Sequence, residues 1–204
     1  MRLVVGLGNP GSEYVGTRHN VGWEALDGLA RRLGWIAKNE DFNARARNKF
    51  DGLVLDGTVP TAGGAAEKVM LLKPTTYMNA SGGSVQAAMA FFQLGAPELM
   101  VVLDDMALPA GKLRIRKGGS SGGHNGLRDI ERALGTEQYP RLRIGIDAPP
   151  PQMPGRAYVL ARFDEAQRRS IQPALERTAD AIVSWIENGI EMAMNVYNMK
   201  DSDQ

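Results

Sequence analysis

The chain has 204 residues, 43% of them apolar and 23% charged, an ordinary globular mix that excludes wholesale disorder. It contains no cysteine, which rules out a disulfide scaffold, a thiol nucleophile and thiolate-bound zinc or iron–sulfur clusters. A net charge of +1, from 24 Lys and Arg against 23 Asp and Glu, excludes a polycation for bulk nucleic-acid binding and leaves a local basic patch open. No run approaches the roughly 18 apolar residues of a membrane span. Met1 is followed at once by the strand-like Arg2-Leu3-Val4-Val5, with no signal-type segment. A cytoplasmic protein without a membrane partner is expected.

Along the chain, Arg2–Leu7 is a short apolar run ending at glycine and predicts a strand. A polar, glycine-rich stretch follows, and then Val21, Leu26, Leu29, Ala30 and Leu33 recur at helical spacing, with Gly34 as the stop. Lys68–Lys73 predicts a buried strand that Pro74 ends. The loop from Thr75 to Gly83 leads into a helix through Val85, Met89 and Phe92. Leu99–Leu103, Leu113–Arg116 and Leu142–Ile146 read as further strands, and Leu127, Ile130 and Leu134 mark a short helix between the last two. A long helix is expected from Asp164 to about Asn188, carrying Ile171, Leu175, Ile182 and Ile186 on one face. The four prolines of Ala148–Pro154 mark a loop, with too little chain behind it for a second core. Alternating strands and helices predict one α/β domain over residues 1–204, a twisted, mixed but mostly parallel sheet flanked by helices.

Two motif matches fail on context. Gly6-Leu7-Gly8-Asn9-Pro10-Gly11 fits the dinucleotide pattern G-x-G-x-x-G, but Pro10 deletes an amide and the helix starts only near Val21. The acidic ribose ligand is missing too, because Asp27 falls inside the predicted helix. Gly118-Gly119-Ser120-Ser121-Gly122 fits the nucleophile elbow G-x-S-x-G, but downstream of Ser120 the only histidine is His124, with no acid between. The two histidines, His19 and His124, are far apart in sequence and show no metal-ligand spacing.

The unusual polar residues fall in loops after strands: Asn9 and His19 after the first, Asn79 after the Lys68 strand, Asp104 at the end of the Leu99 strand, His124 and Asn125 in the last glycine-rich loop. Singly, each has a local explanation as a turn residue or helix cap. Together they lie where open α/β sheets gather ligands, outside the carboxyl ends of strands. Histidine, a carboxylate and asparagines without a nucleophile suit water activation, with the carboxylate fixing the imidazole tautomer. Hydrolysis of an activated ester fits that inventory better than peptide hydrolysis. Lys112, Arg114 and Arg116 share one face of a predicted strand, and Arg141 and Arg143 repeat the alternation. So do Arg45, Arg47 and Lys49, which read as a solvated sheet face. Arg114, Arg116 and Arg143, close to the glycine-rich loop, read as phosphate ligands.

These residues are linked. Gly6-Leu7-Gly8-Asn9-Pro10-Gly11 with Tyr14, Arg18-His19-Asn20-Val21-Gly22, Lys73-Pro74, Tyr77-Met78-Asn79 with Ser81-Gly82, Asp104-Asp105 with Leu108-Pro109, Gly122-Gly123-His124-Asn125-Gly126-Leu127 and Arg141-Leu142-Arg143-Ile144-Gly145-Ile146 together resemble the bacterial peptidyl-tRNA hydrolase family. The resemblance runs from about residue 3 to residue 198. It implies a monomeric enzyme that needs neither metal nor cofactor and cleaves the ester between a peptide and the 3′ end of tRNA. On matching positions it implies that His19 is the base and Asp104 its partner. Asn9, Tyr14, Tyr77, Asn79 and Asn125 would bind substrate, and Arg116 and Arg143, with Arg114 beside them, would hold the tRNA 5′ phosphate. No role follows for His124. Leu103, Ser120-Ser121 and the proline-rich 148–154 segment, at a lid-like position, depart from the pattern without removing a catalytic position. A non-catalytic RNA-binding protein of the same fold is the alternative, and intact His19, Asp104, Asn9 and Asn79 argue for the enzyme.

Overall fold

The structure, a computed structural model, describes residues 1–61 and 63–198. In chain order the elements are β1 (Arg2–Gly6), α1 (Val21–Arg32), α2 (Phe42–Arg45), β2 (Arg47–Lys49), β3 (Gly52–Pro60), β4 (Ala66–Pro74), α3 (Ser81–Phe92), β5 (Leu99–Asp105), β6 (Leu113–Arg116), α4 (Asn125–Leu134), β7 (Arg141–Gly145), α5 (Gly155–Leu160), α6 (Glu165–Asn188) and α7 (Ile190–Tyr197). The strands form one seven-stranded sheet in the order β2-β3-β4-β1-β5-β7-β6. β4, β1, β5 and β7 run parallel, and β3 and β6 point the other way.

Burial explains the central strands. In β1, Val4 faces one core with α1 and α6 behind it, and Leu3 and Val5 face a second with α3 and α4. A strand covered on both faces carries a continuous apolar run, which is why β1, β4 and β5 are legible in sequence. β3 is not, because Asp56, Gly57 and Thr58 interrupt its apolar pattern. Gly57 is required there, since a Cβ would meet the Trp35 indole at 2.6 Å. Arg45, read in sequence as part of a strand face with Arg47 and Lys49, instead ends the short helix α2. Its guanidinium pairs with Glu40 in the preceding loop. Arg47 pairs with Asp56 across the edge, and Lys49 sits 3.7 Å from the Phe91 ring centre. The opposite edge is sealed differently. Asn198 accepts from the Ile115 amide at 2.7 Å and donates to the Ile115 carbonyl at 3.0 Å, so one side chain pairs with the outer edge of β6 as a strand would.

The first glycine-rich motif serves packing, since a Cβ on Gly6 would lie 2.3 Å from the Gly22 carbonyl oxygen. A Cβ on Gly22, at the start of α1, would lie 2.5 Å from the Val102 carbonyl oxygen and 2.6 Å from the Leu7 amide nitrogen, so only glycine lets the helix start against β1 and β5. The Leu7 amide donates to Val102 and the Asn9 amide to Asn20 Oδ1, so neither is left for a phosphate.

Beneath the sheet's carboxyl edge Lys73, 3% exposed, pairs with Asp27 of α1 and lies 4.2 Å from the Phe42 ring centre. Burial pushes the Lys73 ammonium below the usual lysine range and the Asp27 carboxyl above the carboxylate range, and their mutual attraction only partly offsets this. Breaking such a pair costs more than replacing it. Asp27→Ala is expected to destabilise by about 3 kcal/mol at pH 7, and the double replacement Asp27→Leu with Lys73→Met, which leaves neither charge behind, by about 1 kcal/mol or less. In Asp27→Ala the folded-state Lys73 pKa lies further below its unfolded value. The unfolded chain then binds more protons, so stability recovers as pH rises towards 10. Urea denaturation of both variants at pH 7 and pH 9.5 checks the order and the sign.

Candidate active site

The crossover from β4 to β5 passes over β1, so the chain changes direction there and opens a crevice at the carboxyl ends of these strands. An open cleft of about 1010 Å³ occupies it. Asn9, Tyr14 and His19 enter from the segment after β1, Tyr77 and Asn79 from the loop after β4, Asp104 from the end of β5, and Asn125 from the start of α4. Arg143 of β7 reaches the same cleft. Arg114 and Arg116 do not. They stand on β6 beyond it, in register with Arg143 and Arg141 on the same sheet face.

The loops are locked before any ligand arrives. Asn20 Oδ1 accepts from the Asn9 amide at 2.9 Å and its Nδ2 donates to the Asn9 carbonyl at 3.0 Å, which fixes the turn carrying Asn9. Asn9 Oδ1 then accepts from the Met78 amide at 2.8 Å and sets the position of Tyr77 and Asn79. The Asn9 carbonyl group is thereby used, leaving its NH2 as the group for the cleft. Asp129 of α4 accepts from the Gly82 amide at 2.7 Å and holds the first turn of α3.

The chemical centre is a carboxylate between two imidazoles. His19 Nδ1 donates to Asp104 Oδ1 at 2.7 Å, and His124 Nε2 donates to the same oxygen at 3.1 Å. His124 Nδ1 accepts from the Leu127 amide at 3.4 Å, making His124 the N-cap of α4. Both nitrogens of His124 are thus engaged. His19 keeps Nε2 as its basic nitrogen, because Nδ1 is held as the donor. Asp104 is 4% exposed and His19 8%. Burial alone pushes the Asp104 carboxyl up, but the two imidazoles and their hydrogen bonds outweigh it and hold the carboxyl well below the usual carboxylate range.

Separation in sequence concealed a possible ligand cluster, since ligand atoms of His19, Asp104 and His124 lie within 4.8 Å of one another. Their spacing is that of hydrogen bonds. Ligand atoms around a tetrahedral ion with bonds of about 2.0–2.1 Å stand roughly 3.3 Å apart, wider than the 2.7 and 3.1 Å found here.

The arginines divide. Arg141, 2% exposed, donates to the Ser120 and Glu137 carbonyls at 3.3 and 2.7 Å and faces Glu131 at 3.4 Å, so it braces the glycine-rich loop and is no free cation. Arg143 Nε lies 3.0 Å from Asp105 Oδ2. Among the described residues neither Arg114 nor Arg116 forms an ion pair. Sequence reasoning gave no role to Asn20, Asp105 or His124. The signal available for His124 was its place directly before a helix, where a capping acceptor is needed.

A buried carboxylate–imidazole pair beside asparagine amides, at the carboxyl edge of a mixed sheet, defines an α/β enzyme that works on a bound ligand without a side-chain nucleophile at its centre. The profile of the peptidyl-tRNA hydrolase family matches residues 3–204. The peptidyl-tRNA hydrolase of Thermoanaerobacter sp. (strain X514) is 43% identical over 198 residues, 97% of this chain and 100% of that protein. That of Rhodopirellula baltica is 42% identical over 198 residues, 97% of each. The crystal structure of peptidyl-tRNA hydrolase from Acinetobacter baumannii superposes with a TM-score of 0.84 at 34% identity, covering 97% of this chain and 94% of that one. The chain belongs to the peptidyl-tRNA hydrolase family.

A carboxyl held below its unfolded pKa stays ionised in the folded protein while the unfolded chain takes up a proton. The stability Asp104 contributes is therefore complete above about pH 4 and lost as pH falls below it. Urea denaturation between pH 3 and pH 7 is expected to show the unsubstituted protein losing its advantage over Asp104→Asn towards the acid end. A constant difference across that range would contradict it.

Proposed function

We propose that the protein hydrolyses the ester joining a peptide, or an N-blocked aminoacyl group, to the 3′ end of tRNA, and so returns tRNA from prematurely released peptidyl-tRNA. The observation that carries this reading is the distinction between the two histidines. His124 spends both ring nitrogens on Asp104 and the Leu127 amide, and His19 spends only Nδ1. His19 Nε2 removes a proton from water as the water oxygen attacks the ester carbonyl carbon. Asp104 keeps the tautomer and stabilises the imidazolium that forms. Amide NH2 groups of Asn9 and Asn79 stabilise the tetrahedral oxyanion. On its collapse the bond to the tRNA 3′ oxygen breaks, and His19 returns the proton to that oxygen. Tyr14, Tyr77 and Asn125 contact the peptide and the terminal nucleotide. The reading includes a monomer that acts in the cytoplasm without a metal or cofactor. A purely RNA-binding role would leave the Asp104 arrangement without work.

His19→Ala is expected to fold and to lose on the order of 10²–10⁴ in turnover of N-acetyl-aminoacyl-tRNA, measured with EDTA present. Near-native turnover would exclude the mechanism. Arg114, Arg116 and Arg143 have no part in proton transfer, and we assign them to the tRNA 5′ phosphate, with Asp105 orienting Arg143. Arg116→Ala is expected to raise KM with kcat little changed, the mark of lost uniform binding. The salt dependence of binding should become shallower by about 0.7–0.9 in log–log slope per phosphate contact. A short substrate carrying only the 3′-terminal nucleotides should be indifferent to the change. Equal effects on short and full-length substrates would remove these arginines from the tRNA contact.

A further inference from the structure

The segment that follows β7 returns over the cleft, and α5 contributes Arg156, Val159 and Leu160 to its wall. This wall is wired to the turn that carries His19. The Arg18 amide donates to the Ala161 carbonyl at 3.0 Å, and Thr17 forms a β-bridge with Arg162. The Arg18 side chain, buried next to the base in sequence, lies 4.1 Å from the Tyr158 ring centre and donates to the Tyr158 carbonyl at 3.3 Å. Its other terminal nitrogen donates to Gln167 Oε1 at 2.6 Å.

Gln167 joins these pieces. It sits in the first turn of α6, its backbone fixed by the Asp164 cap at 2.8 Å. While Oε1 receives Arg18, Nε2 donates to the Tyr158 hydroxyl at 2.9 Å and to Asp147 Oδ2 at 3.0 Å. The Tyr158 hydroxyl donates onward to the Ile146 carbonyl at 2.6 Å. One amide thus satisfies the base-bearing turn, the cleft wall and the end of β7 at once. An amide is suited to this because it offers an acceptor on one side and two donors on the other. A carboxylate would lack the donors and an ammonium would lack the acceptor.

We propose that Gln167 is a positioning residue for the reaction, which through Arg18 holds the His19 turn in register with the α5 wall of the cleft. The proposal rests on His19 being the base. Reacting groups displaced by about 1 Å can lose on the order of 10² in rate, so the connection need yield only slightly to be felt in kcat.

The protein has only two histidines, so ¹⁵N-histidine labelling gives ring signals from His19 and His124 alone. Gln167→Leu keeps the side-chain bulk and removes both the acceptor and the donors. It is expected to lower kcat about tenfold with a smaller change in KM, and to shift or broaden the His19 ring signals more than those of His124, which shares Asp104 but is also held by α4. If Gln167→Leu does not fold, Tyr158→Phe, which deletes the hydroxyl between Gln167 and Ile146, takes its place with the same His19-selective change expected. Unchanged His19 signals, whatever the turnover, overturn the proposal. So does movement of both histidines to the same extent with a lowered Tm, which marks a role in stability alone. A His19-selective shift in a protein whose unsubstituted form does not cleave peptidyl-tRNA would uphold the wiring and overturn the assigned function.

Discussion

Asp104 Oδ1 accepts from two imidazoles that reach it from segments on either side of the chain, one after β1 and one before α4. A carboxylate this deeply buried is costly unless its lone pairs are filled by good donors. The two donors therefore make the burial tolerable, and in turn each loop acquires its place only when the other is present. The end of β5 is where this can happen, because β1 pairs with β5 only as far as Val102 while β7 stays paired through Asp105, so the segment after β1 is free to bring His19 to Asp104. The remaining polar contacts continue the same logic outward, with Asn20 locking Asn9, Asn9 locking Met78, and Asp129 locking α3.

The sheet separates two tasks along its length. Its parallel centre ends in the imidazole–carboxylate cluster, and its β7–β6 flank carries arginines on one face. Within that flank burial assigns different work to like residues. Arg141 is consumed in holding the glycine-rich loop, Arg143 lies in an ion pair with Asp105, and Arg114 and Arg116 form no ion pair among the described residues. On the function proposed above, chemistry and recognition fall to different strands, so that binding can be tuned without disturbing the imidazole–carboxylate geometry.

What could be read from sequence follows what burial imposes on it. β1, β4 and β5 are covered on both faces, so their apolar runs were plain. β3 was not marked because Asp56 and Gly57 break its pattern for the sake of a cross-edge pair and the Trp35 ring. The short helices α2, α5 and α7 carry too few turns to show a period. In the cleft, residue types and their loop positions pointed to His19, Asp104 and the asparagines, because a carboxylate, an imidazole and amides after successive strands have one natural meeting place. Sequence could not say that His124 shares the same oxygen as His19, that Arg141 differs from Arg143, or that Gln167 touches Arg18. Those facts depend on contacts between positions remote in the chain, and no local pattern encodes them.

The sealing of β6 by Asn198 has a consequence for the order in which the molecule is built. Ile115 is synthesised 83 positions before the side chain that completes its hydrogen bonds. Until Asn198 has emerged from the ribosome, the strand bearing Arg114 and Arg116 presents a free amide and carbonyl on its outer side, the kind of edge to which stray strands add. During that interval its neighbouring cations and their mutual repulsion are the available defence.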